Sequence, residues 1–300
     1  MSGYLELFES GELRARRDEA FVRLEDCDLC ARRCHKNRVE GEEGDCRTGV
    51  QARVSSHFPH FGEEDCLRGY AGSGTIFFSE CNLRCVFCQN FEISHEGEGS
   101  AADGETLAAM MLGLQSRECH NINFVTPSHV VPQILDALLI AVRGGLRIPL
   151  VYNTGGYDSV ETLRLLDGVI DIYMPDIKTL DREKARKYLN APDYPEVAAG
   201  CVKEMHRQVG DLVVDAQGVA RKGLLIRHLV MPGSVEDTAD IMRFISSNIS
   251  KKSAINIMGQ YRPCGSAGDF PEISRRPSPE EMMSAYKSAL SGGLSNLISP

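Results

Sequence analysis

From position 74 onward, short apolar runs alternate with stretches of helical period. The runs at 74–79, 120–126, 149–153, 169–174, 224–230 and 254–259 predict strands. Amphipathic stretches at 104–117, 130–143, 158–166, 181–189, 194–208, 235–248 and 279–291 predict helices. Asp158-Ser159 and Ser278-Pro279-Glu280-Glu281 mark helix starts, the second with Pro in the first turn. Strands alternating with helices argue for βα units and a parallel sheet. Six strands predict an α/β fold, a partial (β/α)6 TIM-like barrel rather than a closed eight-fold one. The segment 211–221 (DLVVDAQGVAR) reads as a short hairpin with a Gln-Gly turn before the fifth strand.

The first part of the chain has a different texture. Residues 1–50 are charged and contain a compact cysteine group. Residues 51–72 read as a connector rich in His, Pro and Gly. The division expected is therefore a Cys-rich, metal-binding N-terminal appendage at 1–72 and a barrel at 73–300. The length of 300 residues accommodates both. No apolar run of about 18 residues exists, so no membrane span is expected. The polar stretch Met1 to Arg17 lacks an apolar signal core. A formal net charge of −9 argues against a nucleic-acid surface.

Of the 11 cysteines, seven fall into two tight groups. In a reducing compartment such grouping reads as metal binding rather than disulfides, which places the chain in the cytoplasm. One group is Cys81, Cys85 and Cys88, at C-x3-C-x2-C spacing directly after a strand-like run. Three thiolates can hold three irons of a [4Fe–4S] cube and leave the fourth without a protein ligand. Electron carriers normally have every iron capped by protein. An open iron suits a bound guest, and S-adenosylmethionine (SAM) fits through its amino and carboxylate groups. One electron then breaks a C–S bond and releases a 5′-deoxyadenosyl radical. A zinc loop would want a fourth nearby ligand.

The other group is Cys27-x2-Cys30-x3-Cys34-x11-Cys46, flanked by Arg32, Arg33, Lys36 and Arg38. Four thiolates on a metal are anionic, and these cations offset that charge. Zinc and a second [4Fe–4S] cluster both accept four cysteines.

The three-Cys loop, with an aromatic before its third Cys, resembles the radical-SAM superfamily. More narrowly, the chain resembles the pyruvate formate-lyase activating-enzyme-like group, in its branch with a cysteine-rich N-terminus. The resemblance spans nearly the whole chain. It rests on CDLCARRC…GEEGDCRTG, GSGTIFFSECNLRCVFCQN, NINFVTPSHVVPQ, YMPDIK, GLLIRHLVMPG and INIMGQYRP. It implies that Phe87 lies against the SAM adenine and that Asn153 reaches the ribose. It implies Asp176 and Lys178 near the methionyl end and Arg227 near the SAM carboxylate. Where activating enzymes carry Gly-Gly-Glu after the second strand, this chain has Thr126-Pro127-Ser128. A backbone carbonyl or hydroxyl at Thr126 would then meet the SAM amino group.

Other residues carry less. His129, beside a barrel mouth, is a functional candidate, whereas His57 and His60 read as hydrogen-bonding side chains. If Arg227 faces the barrel interior, His228 faces the helices. Tyr261 and Arg262 follow the last strand and could border a substrate. Cys119, Cys201 and Cys264 read as ordinary thiols. No catalytic residue is assigned.

The leading functional expectation is a radical-SAM enzyme. It would take an electron from a flavodoxin or ferredoxin and abstract hydrogen from an unidentified protein, peptide or small-molecule substrate. One version activates a glycyl-radical enzyme by removing a glycine hydrogen. The competing class is a non-catalytic iron–sulfur or zinc protein, which would not need polar strand ends at Asn153, Asp176, Lys178 and Arg227.

Overall fold

The computed structural model describes residues 2–298. Helices α1 (Gly3–Glu9) and α2 (Glu12–Val22) open the chain. After an irregular stretch come β1 (Ala52–His60), α3 (Asp65–Arg68), β2 (Ser73–Phe78), α4 (Phe91–Ser94) and β3 (Ser100–Ala102). The βα units then follow as α5 (Gly104–Ser116), β4 (Ile122–Val125), α6 (Val131–Arg143), β5 (Leu150–Thr154), α7 (Val160–Leu165) and β6 (Ile172–Pro175). Next, α8 (Arg182–Lys184) runs into a π-helical turn at Ala185–Leu189, followed by α9 (Tyr194–Val209). The hairpin β7 (Val213–Val214) and β8 (Ala220–Leu229), α10 (Val235–Asn248), β9 (Ala254–Met258) and α11 (Pro279–Ser291) complete it.

The sheet runs β3-β1-β2-β4-β5-β6-β8-β7, with β9 also pairing β8. Strands β2, β4, β5, β6, β8 and β9 pair in parallel, in that order. These are the six strands of the hydrophobic pattern, and the sheet they form does not close. Strands β1 and β3 add antiparallel pairs on one side, and β7 adds one on β8.

Near-continuous apolar runs arise because helices cover the outer face of a parallel sheet. Helix α6 shows the consequence: Val131, Ile134, Leu135, Leu138 and Val142 are all buried. At α11 the Ser278 hydroxyl accepts from Glu281 N and the Glu281 carboxylate accepts from Ser278 N, a complete capping box.

Several local expectations change. Residues 52–60 of the expected connector form an edge-proximal strand instead. Its Pro59 is tolerated because β3 covers only Ala52–Val54 on the outer side. The strand expected at 169–174 begins at Ile172, because Gly168 takes φ 77° and the Val169 and Ile170 amides bond back to Leu166 O. The strand expected at 120–126 stops at Val125, because Thr126 takes φ 60°. Asp158 is not a helix cap. Its carboxylate turns inward and accepts from Tyr152 Oη at 2.8 Å and Thr154 Oγ1 at 2.7 Å.

The N-terminal residues share the barrel's core. Tyr4, Leu13, Ala20 and Val54 belong to the same buried cluster as Ile76, Phe124 and Leu138. Tyr4 Oη donates to Ile148 O at 2.9 Å. No described helix is long and apolar enough to cross a membrane.

Candidate functional site

Strand β2 ends at Phe78, and the chain leaves it through Glu80 at φ 66°. This turn starts the loop that carries Cys81, Cys85 and Cys88. The loop is tied down from several sides. Val86 N donates to Tyr188 O at 2.9 Å, and Arg84 N donates to Leu189 O at 3.3 Å. Asn82 Nδ2 donates to Tyr157 O at 2.6 Å. The Glu80 carboxylate is held by Arg47 at 2.7 Å.

The three thiols border a cavity of about 370 Å³ at the C-terminal ends of the parallel strands. Phe87, Thr126, Asn153, Asp176, Lys178 and Arg227 line the same cavity. Six residues singled out from five separate segments thus face one space with the cysteines. The cysteines 27, 30, 34 and 46 lie outside it.

Register explains the gathering. Val125 is level with Asn153, Asn153 with Met174, and Thr154 with Pro175. Asp176 forms a single bridge to Arg227. The strand ends are therefore level, and one side chain from each reaches the mouth.

The polar groups form one connected line. Asp176 accepts from Lys178 Nζ at 2.8 Å and from Arg227 Nε at 3.2 Å. Arg227 Nη2 donates to Asn153 Oδ1 at 3.0 Å. Burial opposes the Asp176 charge, but the two cations hold its carboxyl below the usual range. Burial likewise opposes the Lys178 charge, yet the Asp176 carboxylate, by charge and hydrogen bond, keeps the ammonium protonated.

Burial pushes the Cys81 thiol up to about 11 and the Cys85 thiol up to about 12, with Lys178 pulling the other way. As free thiols they stay protonated at neutral pH. A bound metal deprotonates a coordinating thiol outright. Leu83 N lies 3.4 Å from Cys81 Sγ and Ser94 Oγ 2.9 Å from Cys88 Sγ, so two sulfurs have polar neighbours.

Among the described residues, no three His, Cys, Asp or Glu side chains meet around a point that a single ion could occupy. A cube asks for something else. Each thiolate takes a different iron, so the sulfurs border a volume rather than converge on a point. Three thiols bordering one cavity, Cys85 buried and Cys81 and Cys88 partly so, with Lys178 lining the same space, fit that requirement.

Sequence reasoning missed part of the wall. Glu63 lines the cavity from the segment before the barrel, with His60. Asn123 Nδ2 donates to Glu63 Oε1 at 3.1 Å, and Arg227 Nη1 lies 3.4 Å from Glu63 Oε2. Burial raises the Glu63 carboxyl to about 7, against the pull of Arg227. Glu64 is buried beside it and accepts from Asn256 Nδ2 at 2.9 Å. The adjacent acids in a Gly-flanked connector carry no periodic signal of burial. Tyr194 was missed as well. Its hydroxyl accepts from Lys178 N at 3.0 Å and lies 2.9 Å from Gly155 O. Gly156 beside it, at φ 79°, has no room for a Cβ, which would stand 2.5 Å from Asp176 O.

Two candidates, His129 and Tyr261, fall elsewhere, and His228 faces the helices as its alternation with Arg227 implies. His129 is buried away from the cavity and donates from Nε2 to Ser79 O at 3.0 Å. Burial, with Arg38, lowers it to about 4, so it is a neutral core histidine. Tyr261 is buried behind Phe87, ring to ring at 6.1 Å, and donates to Ile273 O at 2.7 Å. His228 points outward, donating to Ile177 O at 2.8 Å and meeting Thr238 Oγ1 at 2.9 Å.

Fold and site together define a partial α/β barrel with a three-thiol loop at its mouth. No family model matches the chain. It is 33% identical over 273 residues to the uncharacterized protein MJ0674 of Methanocaldococcus jannaschii, covering 89% of this chain and 75% of that one. The chain belongs to the same family as that archaeal protein. Among solved structures, methylornithine synthase (PylB) shares the fold, with a TM-score of 0.50, 14% identity, and coverage of 74% of this chain and 70% of that one. Streptococcus suis SuiB bound to S-adenosylmethionine aligns with a TM-score of 0.48 and 15% identity. That alignment covers 73% of this chain and 47% of SuiB, so the chain spans about half of SuiB's length.

Proposed function

We propose that this chain is a radical-SAM enzyme. Cys81, Cys85 and Cys88 would hold a [4Fe–4S] cluster, and the cavity would hold SAM. When bound, the cluster supplies one electron, received from a flavodoxin- or ferredoxin-type carrier, that cleaves SAM to a 5′-deoxyadenosyl radical.

The chain's own residues supply the rest. Phe87 offers an apolar face for the adenine ring. Asn153 offers a side-chain amide for the ribose. Arg227 and Lys178 offer donors for the SAM carboxylate, and Asp176 fixes both cations at 3.2 and 2.8 Å. Thr126 offers a carbonyl or hydroxyl to the amino group. Its φ of 60° is rare for a β-branched residue, and such strain concentrates at functional sites. Leu229, Met231 and Met258 supply apolar wall on the same cavity.

The observation that carries the reading is one cavity bordered by all three thiols and by the Lys178–Asp176–Arg227–Asn153 line. An electron carrier has no use for that line. Within the class, the radical would take hydrogen from a protein, peptide or small molecule, and activation of a glycyl-radical enzyme is one version.

The test is chromatography of anaerobically reconstituted, reduced protein incubated with SAM. 5′-Deoxyadenosine should accumulate with wild type and not with Cys81, Cys85 and Cys88 all changed to Ala. An iron-loaded wild type that yields none, and whose EPR spectrum ignores SAM, overturns the reading.

A further inference from the structure

The segment 24–49 contains no helix or strand, yet it is tightly ordered by its own backbone. Cys27 N donates to Lys36 O at 3.1 Å and His35 N to Cys27 O at 3.0 Å, folding the segment back on itself. Left-handed residues Arg33, His35, Gly41 and Arg47 make its corners. Four cysteines lie on this compact fold. Cys27, Cys30 and Cys46 are buried, and Cys34 is partly so. Cys30 and Cys34 each lie within electrostatic reach of both Cys27 and Cys46. Gly44 makes room for this. A Cβ there would stand 2.5 Å from Cys34 Sγ.

A second observation points to what this fold holds. Arg38 is 1% exposed. Its Nε and Nη2 donate to Gly49 O at 3.1 and 2.7 Å, and its Nη1 donates to His129 O at 2.9 Å. The remaining neighbour of Nη1 is Cys27 Sγ at 3.8 Å. No carboxylate is among these partners. A buried cation without an anion is strongly unfavourable. Four neutral thiols offer no counter-charge, whereas four thiolates on a metal do.

The segment also touches the site already described. Arg32 Nε donates to Asn82 O at 2.8 Å, and Asn82 sits between Cys81 and Leu83. Zinc would require the four sulfurs to converge tetrahedrally on one point. Among the described residues no three ligands converge so, whereas a cube needs only that the sulfurs surround a volume.

We infer that Cys27, Cys30, Cys34 and Cys46 hold a second [4Fe–4S] cluster, fully capped by protein, whose negative charge Arg38 offsets. This inference stands apart from the proposed SAM chemistry, because its test uses protein in which the barrel-mouth cysteines are gone.

The experiment takes the full-length chain with Cys81, Cys85 and Cys88 changed to Ala, reconstituted anaerobically with iron and sulfide. Iron, acid-labile sulfide and zinc are counted per chain. The expected result is about four irons and four sulfides, with a reduced EPR signal that SAM leaves unchanged. Adding Cys34→Ala should lower the iron count and alter that signal. Adding Arg38→Met should shift the cluster's midpoint potential or weaken its retention. A triple variant that folds, by circular dichroism, and holds no iron, or holds zinc instead, overturns the inference. So does an iron count indifferent to Cys34→Ala.

Discussion

Glu63 Oε2 lies 3.4 Å from Arg227 Nη1, across 164 positions of sequence. The contact joins a segment that precedes the barrel to its fifth parallel strand. Burial holds the Glu63 carboxyl near 7, with Arg227 opposing and Glu64 reinforcing. In the unfolded chain it ionises near the ordinary 4.5. Between those values the folded state binds the extra proton. Stability from this group is therefore full below the lower value and is lost as pH rises through about 7. Glu63→Gln should remove that loss. Urea titrations at about pH 5.5 and about pH 8 should show wild type falling relative to the variant. Parallel curves would remove Glu63 as the cause.

Arg227 neutralises Asp176 and stands beside Glu63. Arg227→Ala strands buried carboxylates and should lower stability by about 3–5 kcal/mol. Arg227→Lys keeps the charge but loses the planar fork. It should retain the fold and weaken SAM affinity roughly ten- to hundred-fold, the loss of one charge-assisted bond. Calorimetry on cluster-loaded protein measures this. Lys178→Ala should weaken affinity in the same direction. Unchanged SAM affinity in both variants would remove the two cations from the SAM site.

Ser94 Oγ stands 2.9 Å from Cys88 Sγ, and its hydroxyl also reaches Asn90 O at 2.8 Å. Hydrogen bonds to cluster sulfurs raise the reduction potential. Ser94→Ala should make the SAM-responsive cluster harder to reduce, shifting its midpoint to more negative values in an EPR-monitored titration. A midpoint equal to wild type would mean the hydroxyl gives its proton to Asn90 O or to His95 Nδ1 at 3.0 Å rather than to the sulfur.

Gly44→Ala should lower stability by about 1–3 kcal/mol, because its Cβ would overlap Cys34 Sγ. Gly49→Ala, with open space at its Cβ, is the control and should stay within about 0.5 kcal/mol. Thermal unfolding compares them, and equal shifts would contradict the crowding at Cys34.

Tyr194→Phe removes the hydroxyl that accepts from Lys178 N and lies 2.9 Å from Gly155 O. Stranding buried backbone groups should reduce stability by about 1–3 kcal/mol. Urea unfolding indistinguishable from wild type would show that water takes over those bonds.

The sequence alone determined the six parallel strands and most helices, because strands covered on their outer face must be apolar throughout, while the helices need only one apolar stripe. It determined the three-thiol loop, because the chemistry dictates residue type and spacing within eight positions. It also singled out Thr126, Asn153, Asp176, Lys178 and Arg227, which follow or end strand-like runs and whose C-terminal ends share one mouth. It could not show that 52–60 is a strand, since His and Pro obscure the alternation there and pairing with β2 decides the matter. Only tertiary structure turned Asp158 inward, sent His129 into the core and brought Glu63 to the cavity wall. Those outcomes depend on which distant group satisfies a buried polar atom: Tyr152 and Thr154, Ser79, and Asn123 with Arg227. No local pattern of residues encodes a partner that lies 164 positions away.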